Sequence, residues 1–117
     1  MHIIENALTD RGSRYAVSGG PIADADEAKG FLKKLCRIKK FAKATHNSWA
    51  VILPDGTPLK GDDGESGAGM VILRMLEREE RQGEIVVVTR WFGGTKLGGD
   101  RFRRVQDCVR LWFEETA

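Results

Sequence analysis

The stretch that decides the fold runs Glu84-Ile85-Val86-Val87-Val88-Thr89-Arg90-Trp91-Phe92-Gly93-Gly94-Thr95-Lys96-Leu97-Gly98-Gly99-Asp100. Ile85 to Val88 follow one another with no polar interruption, which predicts a central strand buried on both faces and extended by Trp91 and Phe92. A glycine-rich loop then opens the last helix. Asp100 suits its N-cap, and Phe102, Val105, Val109, Trp112 and Phe113 supply its inner face. Upstream, a helix is predicted from about Gly67 to Gln82, with Val71, Ile72, Met75 and Leu76 inside and Gly83 as its C-cap. Ser48 to Leu53 reads as a strand leaving through the Pro54-Asp55-Gly56 turn into a short partner at Thr57 to Lys60. Asp24 and Glu27 form a capping pair before a helix with Ala28, Phe31, Leu32, Leu35 and Ile38 on one face. Ser13 to Ser18 is a further short strand, closed by Gly19-Gly20-Pro21. The sum is an α+β domain: one small mixed sheet with helices packed on it.

Composition sets the bounds. The 117 residues form one domain, residues 1 to 117, of 41% hydrophobic and 31% charged residues, proportions of a globular chain that can bury a sizeable core. No apolar run is long enough to span a membrane, and the opening MHIIENALTDRGSRY lacks the apolar core of a signal peptide, which predicts a cytoplasmic protein with no membrane partner. His2, near that start, is expected to be disordered or exposed to solvent. Cys36 and Cys108 show no CxxC spacing; one disulfide is open to them, but two buried thiols are the expectation. The net charge of +2 hides a segregation along the chain. Residues 29 to 43 carry seven cations and no acid, whereas residues 62 to 84 carry seven acids against three arginines. If the first basic helix and the start of the last helix share a face, that face suits a nucleic-acid backbone or an acidic protein.

Two glycine-rich loops each open a helix, and they hold eight of the fourteen glycines. The second, Gly93 to Asp100, follows the most apolar strand. Backbone N–H groups at such a place form an anion site, and Lys96, Arg90, Arg101, Arg103 and Arg104 add charge. Paired glycines equally serve tight strand-to-helix packing. Neither the Walker A pattern nor GxGxxG is present. The first loop, Gly61-Asp62-Asp63-Gly64-Glu65-Ser66-Gly67-Ala68-Gly69, concentrates three carboxylates. They suit turn formation beside a helix N-terminus, a hard cation such as Mg²⁺, or salt bridges to the basic second loop. His46 has no orienting partner or nucleophile in sequence, with Ser66 and Thr95 as conceivable partners after folding. No catalytic residue, metal ligand set or cofactor is therefore assigned.

Lys43-Ala44-Thr45-His46-Asn47, then Asp62-Asp63-Gly64-Glu65 with Ala68-Gly69, then Arg90-Trp91-Phe92-Gly93-Gly94-Thr95-Lys96-Leu97-Gly98 resemble the IMPACT/YigZ family over residues 11 to 116. Ser66 after the carboxylate motif, and Asp100-Arg101-Phe102 after the second loop, bring the chain closer to the eukaryotic IMPACT branch. Neither an RWD domain nor a trailing ferredoxin-like domain is expected beside this core. The resemblance implies a fold like the second domain of ribosomal protein S5, a sheet with helices on one face. It also implies translational control: IMPACT competes for the co-activator of the amino-acid-starvation kinase, a role that leans partly on the RWD domain. Bacterial members are associated with ribosomes or nucleic acid by fold analogy. The signature positions carried over as binding residues are His46, Asp62, Asp63, Gly64, Glu65, Arg90, Gly93, Gly94, Lys96 and Gly98, with Arg101 and Arg104 in the adjoining stretch. The expectation is a non-enzymatic module contacting RNA, the ribosome or a translation-control protein. The alternative is a nucleotide-binding protein or Mg²⁺-dependent enzyme using both loops.

Overall fold

The computed structural model describes residues 1–117. Nine elements follow one another: β1 (His2–Asp10), β2 (Ser13–Pro21), α1 (Ala25–Cys36), α2 (Lys39–Ala42), β3 (His46–Ile52), β4 (Pro58–Gly61), α3 (Ala68–Arg78), β5 (Glu84–Trp91) and α4 (Asp100–Glu115). The strands form one sheet in the order β1-β2-β5-β3-β4. The α+β class is as expected, but the sheet is antiparallel at every pairing rather than mixed.

Strand β5 lies at the centre, and side-chain alternation divides its apolar run between two cores. Val86 and Val88 face a cluster in which Tyr15 and Ala50 of the neighbouring strands meet Ile72 and Leu76 of α3 and Val105 and Trp112 of α4. Ile85 and Val87 face the opposite cluster, where Ala16 and Val51 of the same strands meet Phe31 and Leu35 of α1 and Phe41 of α2. Helices therefore cover both faces of the sheet, correcting the one-faced arrangement that the resemblance implies. Burying each large side chain contributes about 1.5–3 kcal/mol, and β5 is where both contributions meet.

Several boundaries moved for identifiable reasons. Strand β1 was not anticipated, because its alternation breaks where Asn6 takes φ 54° and the register with β2 shifts between Ile4 and Leu8. His2 belongs to this strand, exposed, with its ring centroid 5.6 Å from that of Trp112. Helix α3 stops at Arg78 rather than Gln82. Glu80 adopts φ 53°, its N–H donates to Glu77 O, and the Arg81 N–H donates to Leu76 O. That is a Schellman closure with glutamate where glycine is usual, so Gly83 is not the cap. At α4 the cap is Gly99, and Asp100 is the first helical residue. Its carboxylate receives the Arg11 guanidinium at 2.8 Å, tying the β1–β2 turn to the helix start. Cys108 is buried as expected, whereas Cys36, at the end of α1, is exposed. No helix is long and apolar enough to cross a membrane.

Candidate functional site

The two glycine-rich loops leave the sheet at the same end. His46, at the start of β3, is paired in register with Arg90 of β5, so the first residues of one strand lie beside the last residues of the other. The first loop joins β4 to α3 and the second joins β5 to α4.

Asp62 is a structural carboxylate. One oxygen accepts from the Gly69 N–H at 2.8 Å and the other from the Gly67 N–H at 3.1 Å. These amides belong to the opening of α3, whose cap residue Gly67 provides no side chain. The two N–H donors, Gly67 before Gly69, hold the Asp62 carboxyl below its usual pKa of 3.8. Gly69 must be glycine here, since a Cβ would lie 2.7 Å from the Asp62 carboxylate.

Asp63 and Gly64 take φ values of 48° and 85° and turn the loop back over β3. The Asp63 carboxylate accepts from the Asn47 N–H at 2.7 Å, and the Asp63 carbonyl lies 2.8 Å from His46 Nδ1. A carbonyl only accepts, so His46 Nδ1 carries the proton. The ring is thus oriented by Asp63, and neither Ser66 nor Thr95 is its partner.

Glu65 links the loops. Its carboxylate accepts from Arg90 Nη1 at 2.6 Å, with only 2% and 6% of the two side chains exposed. The remaining Arg90 nitrogens approach Ser13 Oγ at 3.3 and 3.4 Å, and the same hydroxyl accepts from the Gly93 N–H at 3.3 Å. The charge-assisted pair satisfies both buried ions, and the serine carries the network to the base of the second loop. Of the alternatives open in sequence for the first loop, salt bridging is realised by Glu65, and helix capping by Asp62. No group of three or more His, Cys, Asp or Glu side chains converges as a metal site.

The second loop itself faces solvent. Gly93, Gly94, Thr95, Lys96, Gly98 and Gly99 are exposed, and Leu97 alone is buried as its anchor. Gly93 packs backbone to backbone on Gly12 in the β1–β2 turn, where a Cβ would overlap the Gly12 carbonyl carbon. Gly94 and Gly98 have φ 95° and 57° with open space beside them. Phe92 is 47% exposed, and its N–H donates to Thr45 Oγ1 at 2.9 Å, which draws the Lys43-Ala44-Thr45 segment against the loop.

The predicted site residues therefore divide. His46, Asp62, Asp63, Gly64, Glu65, Arg90 and Gly93 form one connected cluster, with Gly94 just beyond it in open space. Lys96 and Gly98 sit on its exposed rim, Lys96 without an acidic partner. Arg101, with its guanidinium 4.8 Å from the Phe102 ring centroid, makes no ion pair. Arg104 turns away to Asp10 at 3.7 Å and Asp107 at 3.2 Å. The basic helix α1 and the start of α4 do not share a face, because they pack on opposite sides of the sheet. Ser13 and Gly12 were missed, since a hydroxyl at a strand end and one glycine in a hairpin turn carry no distinctive pattern, and Thr45, although inside the quoted motif, was not carried over as a site residue.

Residues 11–113 match the Impact N-terminal domain. The chain is 38% identical to Protein IMPACT of Rattus norvegicus over 112 residues, covering 88% of this chain and 34% of that protein. It is 35% identical to the Protein IMPACT homolog of Schizosaccharomyces pombe over 107 residues, covering 88% of this chain and 38% of that one. It thus spans about a third of the length of these relatives. Among solved structures, the two-domain translational regulator Yih1 aligns at TM-score 0.58 and 34% identity, over 89% of this chain and 42% of that one. The crystal structure of a hypothetical protein shares the fold at TM-score 0.81 and 21% identity, over 96% of this chain and 59% of the other. The loops that carry the signature residues lie inside the matched region, and the chain belongs to the family of the Impact N-terminal domain.

Proposed function

We propose that this domain is a non-enzymatic binding module of translational control that contacts RNA or the ribosome through its second glycine loop. The observation that carries the reading is the contrast between the loop and its base. A buried Glu65–Arg90 pair and the Ser13 hydroxyl hold the stem. Above them Phe92, Gly93, Gly94, Lys96, Gly98 and Gly99 stand exposed. Open glycines admit close approach of a ligand backbone, an unpaired lysine attracts phosphate, and an exposed aromatic ring offers a stacking surface. A fixed stem keeps these groups in one geometry, so less ordering cost falls on binding. The link to translation rests on the relationship to Yih1, which is a translational regulator. Of the three carboxylates that the Mg²⁺-dependent alternative would use, Asp62 and Glu65 are engaged inside the fold and Asp63 accepts from the Asn47 N–H, which favours the binding reading.

The test is binding of ribosomes and of single-stranded RNA across a salt series. Affinity is expected to fall steeply with salt, and Lys96→Ala combined with Arg101→Ala is expected to flatten the slope by about 2. Arg101 is chosen for this test because the neighbouring Arg104 is already paired with acids. Salt-independent affinity unaffected by the double substitution would overturn the proposal.

A further inference from the structure

A second surface lies on the α1 face of the sheet, bordered by Asp63 of the first glycine-rich loop and apart from the exposed second loop. Between α1 and strand β3 runs a groove of about 310 Å³, lined by Leu32, Cys36, Asn47, Trp49 and Asp63. Its polar walls are already occupied. The Asn47 side chain donates to Phe41 O and accepts from Thr89 Oγ1, and the Asp63 carboxylate accepts from the Asn47 N–H. Trp49 lies against Gly61, where a Cβ would overlap the indole, so the backbone of β4 fixes the ring. What the groove offers to an occupant is thus the apolar surface of Leu32 and Trp49. The rim is cationic. Lys29 and Lys33 lie one turn before Leu32 and Cys36 on the same flank of α1, both exposed and neither in an ion pair. Of the seven cations between residues 29 and 43, only Lys40 has an acidic partner, Glu5.

We infer that this groove docks an acidic amphipathic segment of a partner protein, an apolar side chain entering against Leu32 and Trp49 while its acids meet Lys29 and Lys33. Charge complementarity argues for the acids, and an uncommitted apolar slot argues for the anchor. A nucleic-acid backbone suits the cations but brings no aliphatic side chain to the slot between Leu32 and Trp49.

The probe is a fluorescein-labelled peptide of glutamates and leucines patterned as an amphipathic helix. Polyglutamate of equal length and polyuridine serve as comparisons. Saturable anisotropy is expected with the amphipathic peptide, weakened roughly tenfold by Leu32→Gln. Lys29→Glu with Lys33→Glu is expected to weaken it and to remove most of its salt dependence. Lys29 and Lys33 are exposed on α1 and Leu32 is half-buried at the groove, so circular dichroism checks that each variant folds. Alkylation of Cys36 by iodoacetamide gives an independent reading, and is expected to slow with the same peptide concentration dependence as the anisotropy. An alkylation rate indifferent to the peptide would overturn the inference. So would polyglutamate binding as tightly as the patterned peptide, polyuridine protecting Cys36 in its place, or Cys36 becoming protected with rising protein concentration alone, which marks a second copy as the occupant.

Discussion

Arg90 Nη1 lies 2.6 Å from the Glu65 carboxylate, and this contact between the last turn of one strand and the mouth of a distant loop is almost wholly sealed from solvent. Breaking one side of such a pair strands the other ion. Glu65→Ala is expected to cost about 3–5 kcal/mol. Replacing both ions by apolar residues, Glu65→Leu with Arg90→Met, is expected to cost less than either single change. Urea denaturation of Glu65→Ala, Glu65→Leu, Arg90→Met and the double variant checks the cost and the order. A double variant less stable than both singles would overturn this order.

Asp62 makes stability depend on acid. Its folded pKa is depressed by the Gly67 and Gly69 amides, so its contribution is complete above the unfolded value of 3.8 and declines as pH falls through the folded value. Asp62→Ala is expected to lose about 0.5–2 kcal/mol at neutral pH, the usual worth of a helix cap. Below pH 3.8 the difference between wild type and variant is expected to shrink. Thermal melts at pH 7 and near pH 3 measure it.

The glycines of the second loop are not equivalent. Gly93→Ala pushes a methyl into the Gly12 backbone, and neither chain can yield without moving a strand end. Gly99→Ala has open space, and a φ of −65° that any residue adopts. Gly93→Ala is expected to lower the melting temperature by several degrees, as about 1–3 kcal/mol of overpacking does. Gly99→Ala is expected to leave it unchanged while altering binding at the loop. Melts and the salt-series binding assay separate the two effects.

The thiols differ in kind. Cys36 is exposed, whereas burial pushes the Cys108 thiol up to about 12. Native protein is expected to release one equivalent of thionitrobenzoate from Ellman's reagent at pH 8, and denatured protein two. Rapid reaction of both thiols in the native state would contradict the burial of Cys108.

Much of this was legible in the chain. The unbroken Ile85 to Val88 run announced a strand covered on both sides, and Asp24 and Glu27 announced α1. The capping Asp24 carboxylate accepts from the Glu27 N–H at 2.9 Å, and Glu27 in turn accepts from the Ala23 N–H at 2.7 Å. The end of α3 was illegible because Glu80 occupies a left-handed position that sequence reading reserves for glycine. Strand β1 was hidden by the irregularity at Asn6. For the site, the motif residues could be named but not sorted. Only folding distinguishes Asp62, which closes a helix, from Glu65, which neutralises a buried arginine, because that difference arises from partners distant in sequence.

The division of β5 between two cores bears on time as well as on stability. A slip of one residue would exchange Val86 and Val88 for Ile85 and Val87 across the sheet and disrupt both cores at once. The amides of β5 therefore belong among the slowest to exchange with deuterium, opening only when the whole domain does. The second glycine loop grows directly from that strand. Its exposed amides are expected to exchange far sooner than those of the stem, which stays closed for as long as the protein remains folded.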